Sequence, residues 1–237
     1  MNEELEIDET RVDLGKATSD REVKILSLLA KEASQGTIVE IGSWKGRSTA
    51  YLATGTKCAG KGLKVYAIDP HTEGTEEIFR ENIKKLGFDD IVIPLVMKSE
   101  ETIKQWHQPI SLLFIDGAHD YENVRKDFVL WEPYVITGGV IAFHDKFAEG
   151  PCRVIKRYIL KSSSFSKVGV VEGILFATKN EEINFAEKLT KLKLLLLSYI
   201  AISLAFLTRH KRLRKIQRVL GKMGMWLSEK EPKHTDV

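Results

Sequence analysis

Apolar residues recur along this chain in short runs, separated by longer segments of helical spacing. Val23, Ile25, Leu26, Leu28 and Leu29 give a mostly helical apolar face that stops near Gly36. Ser19, with Glu22 three positions on, forms a capping box at its start. A first strand is expected over Thr37–Ile41, then a helix over 47–58, a strand over 64–69 and a helix over 76–86. A third strand follows over 91–97, with a short helix over 100–106. The fourth strand, 111–116, contains Leu-Leu-Phe-Ile and has no polar alternation, as in a central strand covered on both faces. A helix over 121–131 leads to Gly138-Gly139, read as the turn into a fifth strand over 140–144. A helix over 151–161 and two strands, 166–171 and 174–178 around Gly173, close the pattern as a hairpin. Five strand–helix alternations plus this hairpin predict an α/β fold: a seven-stranded, mostly parallel, Rossmann-like sheet with helices on both faces.

After Asn180 the pattern changes. Residues 181–220 read as nearly continuous helix, and 194–207 are Leu, Ile, Ala, Phe and Tyr interrupted by Ser198 and Ser203. Lysines precede this stretch, and Arg209-His210-Lys211-Arg212-Leu213-Arg214-Lys215 follows it. Fourteen residues fall short of the roughly 20 needed to span a bilayer. The segment reads either as a helix buried against the domain or a homodimer partner, or as an interfacial anchor, 194–215, touching a membrane peripherally. The expected organisation is an N-terminal tail (1–18), an α/β domain (19–180) and a C-terminal basic and apolar helical extension (181–237).

The 237 residues, 43% apolar and 29% charged, suit one α/β domain with an appendage and exclude disorder. A net charge of +3 hides an asymmetry: residues 184–237 carry 12 Lys/Arg against 4 Asp/Glu, so the first 183 residues are net −5. A nucleic-acid role is disfavoured, because the basic cluster lacks interleaved aromatics and the first 183 residues are net acidic. Cys58 and Cys152 match no metal or redox spacing. The polar, acidic start is unlike a secretory signal, so a cytoplasmic protein is expected, peripheral at the inner face of a membrane where the extension acts as an anchor.

Chemistry gathers at strand ends. Glu40-x-Gly42-x-x-x-Gly46 runs from the first strand into a helix, and Asp69 ends the second strand. In open parallel sheets ligands bind along that edge. Glycines there permit φ > 0 and close approach, and an acidic residue after the second strand can accept from both hydroxyls of a ribose. The pair therefore points to an adenosine-containing cofactor. The spacing is not the dinucleotide fingerprint G-x-G-x-x-G, which weakens a nicotinamide reading. Taken alone, the glycine pattern fits any strand-to-helix turn, and Asp69 before Pro70 could be a turn residue. Asp116 and His119, and His144 with Asp145, lie at the next two strand ends. They read as divalent-metal ligands (Asp116, Asp145, with His144), as a metal-free general base (His144 or His119), or as strand-end caps. Asp120 could be a helix N-cap. Trp44 and Arg47 could touch a ligand or simply cover the glycine loop, while Trp106, Trp131 and Trp226 read as packing residues.

Four motifs in order, V-E-I-G-x-x-x-G-R-S-T, V-Y-A-I-D-P, F-I-D-G-A-H-D-Y and G-G-V-I-A-F-H-D, resemble class I S-adenosylmethionine-dependent methyltransferases. The resemblance covers about residues 20–180. It is closest to the small branch with a D-G-x-H-x-Y motif (family 24-like), related to macrocin-type sugar, catechol-type and cephalosporin-hydroxylase-like proteins. It implies S-adenosylmethionine as cofactor, with Glu40, Gly42, Ser43 and Gly46 by its methionine end, Asp69 on its ribose and Asp116 alongside. Ser99 would lie near the adenine, or serve as a plain N-cap. It implies Asp116, His119 and His144 as catalytic residues, and Mg²⁺ or another divalent metal on Asp116, His144 and Asp145. His144 stands where catechol-type relatives carry Asp, and Asp145 where they carry Asn, which leaves the metal and its identity open. The expected reaction is O-methylation of a small-molecule, sugar or glycan acceptor. A hydroxylase-like or nucleotide-dependent oxidoreductase on the same scaffold, or a non-enzymatic membrane-associated module, are the alternatives.

Overall fold

A computed structural model describes residues 7–180 and 184–208. The elements run α1 (Asp20–Glu32), β1 (Thr37–Ile41), α2 (Arg47–Ala59), β2 (Val65–Ile68), α3 (Glu76–Lys85), β3 (Val92–Leu95), α4 (Ser99–Thr102), β4 (Ile110–Ile115), α5 (Tyr121–Trp131), β5 (Val135–Phe143), α6 (Glu149–Val154), β6 (Phe165–Val171), β7 (Ile174–Lys179) and α7 (Phe185–Thr208). The strands form one seven-stranded sheet in the order β3-β2-β1-β4-β5-β7-β6. Strands β1 to β5 pair in parallel, and β7 is antiparallel to both β5 and β6. The order reverses between β1 and β4, so a crevice opens at their C-terminal ends. The expected Rossmann-like sheet and closing hairpin are as read from the sequence.

The central strands carry the core. Every residue of β1 and β4 is buried, so the apolar runs are explained by helices on both faces. Trp131 is fully buried and packs on Trp106, ring centroids 5.2 Å apart. The capping box forms: Ser19 Oγ accepts from the Glu22 N–H, and Glu22 returns a carboxylate to the Ser19 N–H.

Three expectations change. Gly138-Gly139 is not a turn before the fifth strand; β5 begins at Val135 and the glycines sit in a register shift against β4. A Cβ on Gly139 would stand 2.9 Å from the Ile136 carbonyl and 3.2 Å from that of Ile110, so the irregularity depends on glycine. The helix expected over 151–161 starts at Glu149 and continues from Ile155 to Leu160 as a π-helix. Residues 7–18 are packed: Leu14 is buried, and Asn82 links the Asp13 and Lys45 main chains.

The chain divides into two compact units, Met1–Lys188 and Leu189–Val237. No described helix is long and apolar enough to cross a membrane. The basic cluster 209–215 and Trp226 lie outside the described residues.

Candidate functional site

A cleft of about 720 Å³ follows the C-terminal ends of β1, β2, β4 and β5. Gly42, Ser43, Asp69, Ser99, Asp116, His119, His144 and Asp145 all line it. The topology thus brings together residues spread over more than a hundred positions.

At one end the main chain does the building. Gly42 (φ +90°) and Gly46 (φ +88°) are left-handed, and a Cβ on Gly42 would stand 2.3 Å from the Asp116 carbonyl. The Gly42 contact therefore lets β1 and β4 converge at the crevice floor. Asp69 ties down the loop: its Oδ2 accepts from the N–H groups of Ser43 (2.9 Å) and Trp44 (2.8 Å), and its Oδ1 from His71 N–H (2.7 Å). Three of about four carboxylate acceptor positions are thus taken, and one remains for a ligand. The buried Ser43 hydroxyl has no partner among the described residues, and it lies in the cleft lining. Trp44 lies against Gly15, where a Cβ would stand 2.3 Å from its ring. Arg47 pairs with Glu9 (2.8 Å) and Asp20 (2.6 Å) and fastens the N-terminal segment beside the cleft.

Glu40 is fully buried and is not among the cleft-lining residues. Thr49 Oγ1 donates to its Oε2, while Oε1 has no partner among the described residues. Burial pushes its carboxyl up to about 8, against the hydroxyls of Ser48 and Thr49 and with the help of nearby Asp116 and Asp69. Its hydrogen bond is therefore with Thr49 on α2.

At the other end, charge does the building. His144 Nδ1 lies 3.0 Å from Asp116 Oδ1 and 3.4 Å from Asp145 Oδ2. Its buried Nε2 faces Glu22 Oε2 at 3.5 Å, beyond good hydrogen-bonding distance. Burial opposes protonation of His144, but the carboxylates of Asp116, Asp145 and Glu22 outweigh it and push its pKa up to about 12. His119, half exposed, places Nε2 2.9 Å from Asp145 Oδ2, which holds its pKa above the ordinary value. The same two histidines hold Asp145 well below the usual carboxylate range. Asp116 moves the other way, because burial raises it more than His144 lowers it. Asp145 adopts φ +45°, a left-handed conformation uncommon for a non-glycine residue. Asp116, His144 and Asp145 each offer a ligand atom within 4.8 Å of the others.

Ser99 opens α4, but Lys98 occupies the N-cap; the Ser99 hydroxyl donates instead to Asp127 Oδ1. Asp120 caps α5, accepting from Asn123 N–H at 3.1 Å. Two residues had no functional reading from sequence. Glu22, apart from its cap, accepts from Gly173 N–H at 2.6 Å and faces His144. Asp127 lines the cleft from α5. One signal was available for both. Each is a carboxylate inside its helix's buried stripe, Asp127 among Val124, Phe128 and Trp131, and Glu22 beside Val23 and Leu26. Charges on an apolar face are rarely tolerated unless paired or functional.

Comparison with known proteins adds the class. Residues 39–146 match methyltransferase family 24, described as a methyltransferase domain. An uncharacterized protein of Acanthamoeba polyphaga mimivirus is 32% identical over 123 residues, which is 46% of this chain and 51% of that protein. This chain thus spans about half the length of that relative. Among solved structures, cofactor-bound Rv0187 from MTB is similar with a TM-score of 0.58 and 22% identity, over 72% of this chain and 85% of that one. The O-methyltransferase from Bacillus cereus in complex with SAH is similar with a TM-score of 0.57 and 24% identity, over 70% and 84% of the two chains. The match to a methyltransferase domain covers residues 39–146, and the likeness to the two solved structures is one of fold.

Proposed function

We propose that the protein transfers the methyl group of S-adenosylmethionine to a hydroxyl oxygen of a small molecule, sugar or glycan, with Asp116, His144 and Asp145 holding a divalent metal. The single observation carrying this is the adjacency, in one cleft, of the Gly42 loop and the Asp116–His144–Asp145 cluster. Ser43, with its unpartnered buried hydroxyl, and the free acceptor position of Asp69 fit the polar tail and ribose of such a donor. Three carboxylates crowd His144, and that excess of negative charge suits a cation. An imidazole among the ligands shifts the preference from Mg²⁺ toward first-row transition ions. Such an ion, when bound, polarises the acceptor hydroxyl and lowers its pKa.

The sulfonium methyl is already activated, so the chain's work is to orient the acceptor oxygen in line with the S–CH₃ bond and to take its proton. The new C–O bond forms as the S–C bond breaks, and sulfur keeps the electron pair. Without a metal, His144 is held protonated by its neighbours and is a poor base; to serve as a ligand it would give up that proton as the metal binds. His119, half exposed and paired with Asp145, supports a second, metal-free reading in which it accepts the proton. Calorimetric titration with S-adenosylhomocysteine and with NAD tests the donor: binding of the first alone supports it, and binding of NAD alone sinks it. Turnover that EDTA leaves unchanged removes the metal and leaves His119 as base.

The C-terminal extension we read as a peripheral contact with anionic membrane. Within it Leu189, Leu192 and Leu196 are exposed at one-face helical spacing, and the sequence downstream is strongly basic. Co-flotation with anionic but not neutral vesicles is expected; a concentration-dependent dimer that ignores vesicles would assign the stripe to a second copy instead.

A further inference from the structure

Behind the charged cluster stands a carboxylate to which the reaction assigns no part. Glu22 lies in the first turn of α1 and is buried. Its bond from the Ser19 N–H (2.7 Å) is all that a capping box asks of it. Glu22 does more: Oε1 accepts from the Gly173 N–H between β6 and β7 (2.6 Å), and Oε2 faces His144 Nε2 at 3.5 Å. A Cβ on Gly173 would stand 2.5 Å from Glu22 Oε1 and 3.7 Å from His144 Nε2, so the glycine keeps open the space the carboxylate fills. Two main-chain N–H groups from distant elements thus hold one carboxylate in front of a ring nitrogen that is buried and has no hydrogen-bond partner among the described residues. A buried charge is costly unless it is paired, and here the imidazole is what it meets.

His144 presents its two nitrogens to different surroundings. Nδ1 faces Asp116 and Asp145 in the cleft, and Nε2 faces Glu22 on α1. An imidazole that holds a metal carries the ion on one nitrogen and its remaining proton on the other, and an acceptor beside the second nitrogen decides which is which. At 3.5 Å the carboxylate acts by charge, and it favours the proton on Nε2. That leaves Nδ1 for the ion. Glu22 itself stands outside the group whose ligand atoms converge.

We infer that Glu22 is a positioning residue for the metal site: it keeps the His144 ring turned with Nε2–H toward α1, so that Nδ1 joins Asp116 and Asp145 around a divalent cation. The inference rests on the metal reading above.

The test titrates Co²⁺ alone into the full chain by calorimetry. Glu22→Gln is expected to weaken Co²⁺ binding by about 10–100-fold, the usual cost of losing a carboxylate behind a ligating histidine. Glu172→Gln is the control, because Glu172 contacts Ser19 and Arg21 at the same junction but is not among the carboxylates facing His144. Its Co²⁺ affinity should stay within about threefold of wild type. Where Glu22→Gln fails to fold, Gly173→Ala, which crowds the carboxylate without removing it, decides; a loss of more than about threefold is expected. In Zn²⁺-loaded wild type, two-bond proton–nitrogen spectra of ring-labelled histidine should place the His144 proton on Nε2. A proton on Nδ1 overturns the inference, as does Co²⁺ affinity that Glu22→Gln leaves unchanged or that both Gln variants lower equally. Wild type that binds neither ion removes the metal reading, and this role of Glu22 goes with it.

Discussion

The two ends of the cleft are built on different principles. Around the glycine loop, position is set by main chain: left-handed glycines, three N–H groups converging on Asp69, and a glycine approach to Asp116 too close for a Cβ. At the β4 and β5 tips, position is set by side-chain charge: Asp116, Asp145 and Glu22 surround His144, and Asp145 holds His119. The first end is largely satisfied by its own main chain, with the Ser43 hydroxyl and one Asp69 acceptor position left over. The second concentrates three carboxylates around His144, which they hold protonated. A fixed donor seat beside a responsive acceptor seat suits a reaction in which one partner is always the same molecule and the other must be deprotonated.

Breaking the charged end should cost activity far more than stability. Asp116→Asn combined with Asp145→Asn is expected to lower kcat/KM by about 10²–10⁴-fold, the range that assisted proton removal provides. Its affinity for S-adenosylhomocysteine should stay within a few-fold of wild type. An equal loss of donor affinity would erase the division between the two ends.

The converse applies to the loop. Gly42→Ala should destabilise the fold by about 3 kcal/mol or more in urea unfolding, because a left-handed φ and a backbone clash add together. Gly60, at φ +64° with open space around it, makes the control: its alanine variant should lose only about 1–2 kcal/mol. Similar losses at both sites would show that the β1–β4 approach relaxes easily.

Asp69→Ala strands three N–H donors and should lower S-adenosylhomocysteine affinity about 10–100-fold, with a stability loss of about 1–3 kcal/mol. A stability loss with unchanged affinity would make Asp69 a loop anchor alone.

The effect at Glu40 is on stability alone and develops only with pH. Its folded pKa, about 8, lies above the ordinary carboxylate value, so its contribution is complete at low pH and is lost as pH rises from about 4.5 through 8. Relative to Glu40→Gln, wild type should lose stability with a limiting slope of about 1.4 kcal/mol per pH unit across that window. Parallel stability profiles for the two proteins would show that Glu40 ionises without penalty.

Much of this was legible beforehand for a physical reason. Apolar runs such as Leu112–Ile115 without alternation require burial on both faces, and glycines after β1 require a left-handed turn, so strand identities and the ligand edge followed from local pattern. The site's partnerships did not. Asp127 sits 28 positions from Ser99, Glu22 sits 151 from Gly173, and no periodicity encodes which distant carboxylate meets which donor. Gly138-Gly139 misled for a related reason: locally it reads as a turn, but pairing with β4 extends the strand through it.

The sequence alone determined the alternation of elements, the sheet, and which residue types stand at strand tips, because period and turn chemistry are local properties of the chain. Only the tertiary structure decided that Glu40 is fully buried, that His144 is enclosed by three carboxylates, and that Asp127 lines the cleft. Burial and electrostatic environment are properties of what packs together, and packing joins residues that the chain keeps far apart.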